Sequence, residues 1–77
     1  MNIDMPQSFL VTATWDAEAG VFTSQSDVPG LVIEAETFEE FVELVRELAP
    51  EVIATNLPTV RGPHKLRIET RFDLAVA

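Results

Sequence analysis

The sequence predicts an α+β domain of order β-β-β-α-β, a largely antiparallel sheet with one helix packed on one of its faces. Three observations lead there. From Thr37 to Ile53 the run TFEEFVELVRELAPEVI places Phe38, Phe41, Val42, Val45, Leu48, Ala49, Val52 and Ile53 on one side of a helix wound at about 100° per residue. The runs SFLVTATW and LRIETRFDL alternate with the two-residue period of a strand. Between the apolar runs stand DAEAG and DVPG, which carry turn chemistry. The 77 residues make one domain, 1–77, with a thin core, because a domain near this size buries only about 60% of its unfolded surface.

Met1 to Gln7 has mixed polarity and Pro6, and reads as a loose start. Ser8 to Trp15 is rich in β-branched and aromatic residues, with Phe9, Val11, Ala13 and Trp15 on one face. In DAEAG, Gly20 supplies a positive φ, so Val21 to Ser26 returns as the second strand of a hairpin. In DVPG, Pro29 presets φ and Gly30 accepts the left-handed conformation of a type II turn, leading to a third strand over Leu31 to Ala35.

Thr37 followed by Glu40 forms a capping box that starts the helix, and Glu39 and Glu40 suit the positive end of its dipole. Pro50 lacks an N–H and collides with the Arg46 carbonyl, yet Val52 and Ile53 keep the apolar phase. A kinked continuation to about Thr55 is expected. Leu57 to Lys65 reads as a loop and Leu66 to Leu74 as the last strand. There Leu66, Ile68, Thr70, Phe72 and Leu74 point to the core, and Arg67, Glu69, Arg71 and Asp73 to solvent.

The net charge of −8 is unevenly spread. Residues 1–60 hold eleven acids against Arg46, net −10, while residues 61–77 hold Arg61, Lys65, Arg67 and Arg71 against Glu69 and Asp73, net +2. An acidic body disfavours broad contact with a nucleic-acid backbone and favours a basic partner, or pairing of the basic tail with the helix. No cysteine is present, which excludes disulfides, zinc-thiolate sites and thiol nucleophiles and fits a reducing compartment. No signal-like start or membrane-length apolar run occurs, so a cytoplasmic protein is expected. A shallow core and an exposed sheet edge favour a homodimer or larger assembly.

Catalytic chemistry has little to build on. His64 is the sole histidine and has no evident nucleophile or orienting partner. Asp16, Asp27 and Asp73 lie near strand ends, where a cation cluster for a degenerate metal-dependent nuclease would have to form, but nothing in their spacing brings them together. Arg61, Lys65, Arg67 and Arg71 offer phosphate contacts for a nucleic-acid binder, with Glu69 and Asp73 interleaved as ion-pair partners. No catalytic residue, cofactor or metal ligand is assigned. The most distinctive feature is the ladder Glu39, Glu43, Glu47, Glu51 at i, i+4 spacing, where each like-charged pair costs about 0.2–0.5 kcal/mol. Glu36 and Glu40 widen the stripe, and Leu44 at its margin adds an apolar contact. A solvated helix face explains the ladder; so does a docking surface for a cationic partner.

The hairpin TATWDAEAGVFTSQSDVPGLVIEAET followed by FEEFVELVRELAPEVIATN resembles the HicB-like antitoxin family, especially its short stand-alone members of undefined function. The resemblance runs from about Val11 to Asn56 and rests on Trp15, Asp16, Glu18, Gly20, Val21, Asp27, Pro29, Gly30, Leu31, Glu36, Thr37, Leu48 and Pro50. It implies a partial RNase H-like fold without nuclease activity, usually dimeric or higher, that masks a small basic messenger-RNA-cleaving toxin of the HicA type. Many members add a C-terminal DNA-binding domain. This chain ends at Ala77 without one, so direct DNA binding is not expected. A solitary domain with another regulatory role is the alternative. The partner-binding residues expected are Glu36, Glu39, Glu40, Glu43, Leu44 and Glu47.

Overall fold

The structure, a computed structural model, describes residues 8–60 and 62–76; the loose start expected over Met1 to Gln7 lies outside them. Its elements are β1 (Ser8–Asp16), β2 (Val21–Ser26), β3 (Glu34–Ala35), α1 (Phe38–Asn56) and β4 (Lys65–Arg71), in the expected order. They form one four-stranded sheet of order β3-β2-β1-β4. The β1/β2 and β2/β3 pairings are antiparallel, whereas β4 returns through the helix to lie parallel to β1.

The register sorts the side chains into two faces. Phe9, Val11 and Ala13 pair with Leu66, Ile68 and Thr70, and Trp15 pairs with Phe22. This face meets the helix stripe Phe41, Val45, Ala49 and Ile53, and together with Val28, Leu31, Ile33 and Ala35 they make a single buried cluster. Phe41, Ile53 and Val11 are its largest fully enclosed side chains. The opposite face carries Leu10, Thr12 and Thr14 beside Arg67, Glu69 and Arg71, which is the polar side of a sheet covered on one face only.

Thr37 caps the helix, its Oγ1 accepting from the Glu40 amide at 3.0 Å. Glu40 reaches back as expected, but its Oε1 accepts from the Glu36 amide, one residue further than the cap itself. The helix passes through Pro50, which lies on an exposed position where water can serve the Arg46 carbonyl.

Two strand boundaries differ from expectation. The third strand is only Glu34–Ala35, although Leu31, Ile33 and Ala35 are buried in alternation with exposed Val32 and Glu34. Ser24 explains this. Its Oγ accepts from the Ile33 amide at 2.9 Å and its own amide donates to the Ile33 carbonyl at 3.1 Å, so a side chain replaces part of the ladder. The last strand stops at Arg71, opposite Thr14, because β1 has almost reached its turn there. Phe72 and Leu74 are consequently 55% and 73% exposed and do not enter the core.

Both turns form as read. Gly20 has φ +71, its amide donates to the Asp16 carbonyl, and Asp16 Oδ1 accepts from the amides of Glu18 and Ala19. Around Gly30, with φ +83, the Leu31 amide donates to the Val28 carbonyl, closing a type II turn. Asn56, at the end of α1, clamps this turn through a 2.9 Å bond from Nδ2 to the Pro29 carbonyl. A Cβ on Gly30 would stand 2.6 Å from that nitrogen, while one on Gly20 meets nothing within 4 Å.

Gly20→Ala is therefore expected to cost about 1–2 kcal/mol from the positive φ alone. Gly30→Ala should cost more, because Asn56 must also be displaced. Urea denaturation of both variants with and without Asn56→Ala checks this: the extra cost at Gly30 should vanish once Asn56 is gone.

Candidate functional site

The outward face of α1 is built by the same periodicity that makes the core. With Phe41, Val45, Ala49 and Ile53 committed inward, Glu39, Glu43, Glu47 and Glu51 must face solvent, and all four are exposed. Glu36 and Glu40 are exposed beside them at the helix start, where Glu40 also completes the cap. Leu44 is half-buried and packs against the core, so only its outer part is offered to the surface.

Sequence periodicity assigns Phe38 and Val42 wholly to the core, yet they flank the stripe as an apolar border. Phe38 is 38% exposed, and both line a shallow depression with Thr37, Glu39, Glu43 and Arg46. Phe38 is held there by its neighbours: its ring stacks on Phe41 at 6.5 Å and meets Phe22 at 6.1 Å, and Phe22 in turn meets Trp15 at 4.9 Å. Spacing alone signals the Phe38/Phe41 pair. It does not signal the cross-strand partners.

Arg46 sits beside the ladder, and the basic residues of the last strand lie elsewhere. Lys65, Arg67 and Arg71 pair with Ser8, Leu10 and Thr14, which places them on the sheet face turned away from the helix. They do not fold back onto the ladder as internal counter-ions. Arg61 lies outside the described residues. On that far face Lys65 and Arg67 share a depression of about 380 Å³ with Leu10, Asp27 and Glu69, so carboxylates interrupt the positive surface.

The match to the domain of unknown function DUF1902 covers residues 8–76. The chain belongs to the DUF1902 family. Among solved structures it is similar to hypothetical protein TTHA1013 from the extremely thermophilic bacterium Thermus thermophilus. The two share 38% sequence identity and a TM-score of 0.77, over 90% of this chain and 99% of that one. No curated protein matches it.

Two of the aspartates weighed as metal ligands, Asp16 and Asp27, have structural roles in this DUF1902 chain. Asp16 caps the hairpin turn, and Asp27 Oδ1 accepts from the Leu10 amide at 2.9 Å, nearer the other end of β1. The aspartate cluster required by a metal-dependent nuclease does not form, and among the described residues no group of three His, Asp or Glu is placed to hold a metal ion. His64 packs edge-on to Phe9 at 5.9 Å, with Nδ1 buried and unbonded. No helix among the described residues is long and apolar enough to cross a membrane.

The ladder should register as strain in the free protein. Glu43 and Glu47, each with a like charge four residues away on both sides, are the positions at which Glu→Gln should raise stability most, by a few tenths of a kcal/mol. Urea titrations at low and high salt test it, since the gain must shrink as salt screens the repulsion.

Proposed function

We propose that this DUF1902 domain is a non-enzymatic protein-binding module of the antitoxin type, which uses the acidic face of α1 to cover a small basic protein. The observation carrying this reading is the separation of charge: an exposed glutamate ladder on the helix, with Lys65, Arg67 and Arg71 on the opposite side of the sheet. A cationic partner approaching α1 meets a field that those three side chains do not compensate. Such a field speeds encounter and sets orientation, and apolar contacts beside it hold the complex. Glu36, Glu39, Glu40, Glu43 and Glu47 supply the charge in this reading, with Leu44 on one margin and Phe38 and Val42 on the other supplying the contacts.

The resemblance of the hairpin, the DVPG turn and the capped helix to HicB-like antitoxins supports the same reading and suggests the partner. A toxin that cleaves messenger RNA must itself present a cationic surface to its substrate, and an acidic helix laid across that surface excludes RNA by charge and by volume. Inhibition then needs no chemistry from this chain.

The test is capture of a short basic protein encoded in the neighbouring reading frame. Glu43→Lys/Glu47→Lys should weaken capture at least about tenfold in calorimetry, and capture by the parent chain should fall as salt is added. Both positions are exposed, so the circular dichroism spectrum should stay unchanged. Undiminished capture by the double variant removes the helix face from the interface.

A further inference from the structure

Arg46 is the one basic side chain among residues 1–60, set in a helix whose outward face is otherwise glutamate. Its place in the fold is specific. Val42, Val45, Arg46, Ala49 and Pro50 recur at the three- and four-residue spacing of a single helix flank, and that flank borders a groove whose other wall is Leu66 and Ile68 of β4. Val45 and Ala49 are buried beneath it, while Leu66 and Ile68 are half-buried. The groove has a volume of about 320 Å³, near the lower end of the range of about 300–1,000 Å³ usual for small-ligand pockets.

Two polar groups interrupt this apolar lining. The Arg46 side chain is exposed, and among the described residues no ion pair engages its guanidinium. His64, immediately before β4, brings an imidazole to the same groove. Its ring is held edge-on to Phe9, and its buried Nδ1 has no hydrogen-bond partner. Buried polar atoms are seldom left unpaired in a folded protein, so this nitrogen marks a place where a partner is missing.

We propose that the groove between α1 and β4 binds a small apolar monocarboxylate, its hydrocarbon body on Val45, Ala49, Leu66 and Ile68, its carboxylate on Arg46, and His64 the second hydrogen-bonding group. Each part of that description follows from the lining. An apolar floor gains by covering hydrocarbon and offers nothing to a polar body. The planar fork of an arginine matches a carboxylate through two parallel hydrogen bonds. Glu39 and Glu43 border the same arginine on its outward side, which disfavours a phosphate or any other dianion. A neutral or cationic amphiphile leaves the guanidinium unpaired.

Length narrows the class further. From Val42 to Pro50 the helix rises about 12 Å, so an extended acid of about eight carbons fits the groove and a long-chain fatty acid overhangs it. A groove of this size takes the free acid. A chain terminus would continue beyond it along the outer edge of β4. No glutamate of the ladder contributes to the site, so it does not rest on the acidic helix face docking a protein.

Nuclear magnetic resonance titration of the isotope-labelled full chain with octanoate, kept below its micellar range, tests the assignment. Saturable shifts should localise at the amides of Val45, Arg46 and Ala49 and along His64 to Ile68, and the His64 ring signals should move with them. Arg46→Gln should weaken octanoate at least about tenfold while leaving octanamide, which has the same chain and no charge, unaffected. Arg46→Lys, which keeps the charge and loses the fork, should fall between the two. The position is exposed, so the circular dichroism spectrum should not change. Acetate, a carboxylate without the hydrocarbon, should give no saturable shift. Shifts scattered over the surface, equal binding of octanoate and octanamide, or undiminished octanoate binding by Arg46→Gln overturns the proposal. N-acetyl-alanyl-valyl-leucine is the arm for a chain terminus: tighter binding than octanoate, with shifts running along the whole of β4, overturns the assignment to a free acid.

Discussion

Burial of one helix stripe against one face of one sheet is the interaction on which everything else in this molecule depends. Phe41, Val45, Ala49 and Ile53 lie over Phe9, Val11 and Ala13, and no second layer backs the sheet among the described residues. Each large side chain enclosed there contributes on the order of 1.5–3 kcal/mol, and there is no disulfide to add to it. The loops serve the same contact. Val28, Leu31 and Ile33 reach the cluster from the segment around and after the type II turn, and Asn56 fastens that turn to the far end of the helix.

A single-layer core leaves two surfaces that must remain wettable, and the chain meets this with opposite charge on each. The helix presents glutamates, and the bare sheet face presents Lys65, Arg67 and Arg71 interleaved with Glu69, beside a buried Thr12. The sheet lies between the two sets, so the molecule is polar across its thickness. The phase of the ladder follows from the core stripe, and Glu40 also serves the helix cap, so the core sets the direction in which the acidic face points.

The third consequence is the edge. A parallel partner for β1 puts β4 at the margin of the sheet, and the apolar period outruns the strand it would pair with. The row of rings from Phe41 through Phe38, Phe22 and Trp15 to Phe72 connects the interior to that margin.

Much of this was legible in advance wherever the signal is local. Periodicity over Phe38–Asn56, the cap at Thr37, the hairpin around Gly20 and the type II turn at Gly30 need only neighbouring residues, and each forms as read. The outward position of Glu39, Glu43 and Glu47 follows from the same periodicity. Long-range facts were not legible. Alternation in Leu66 to Leu74 shows two faces but cannot say where β1 ends, so Phe72 and Leu74 read as core and are exposed. Ser24 replacing ladder bonds at Ile33, Asn56 reaching Pro29, and Phe38 and Val42 bordering the acidic stripe all depend on groups far apart in the chain.

By itself, then, the sequence determined the elements, their order, the side of the helix that is buried and the side that is charged, because these are properties of backbone geometry acting over a few residues. Tertiary structure alone decided the strand order β3-β2-β1-β4, the parallel placement of β4 and the exposure of the tail. Those outcomes depend on which strand becomes the neighbour of β1, a choice made by packing of the whole core rather than by any local pattern.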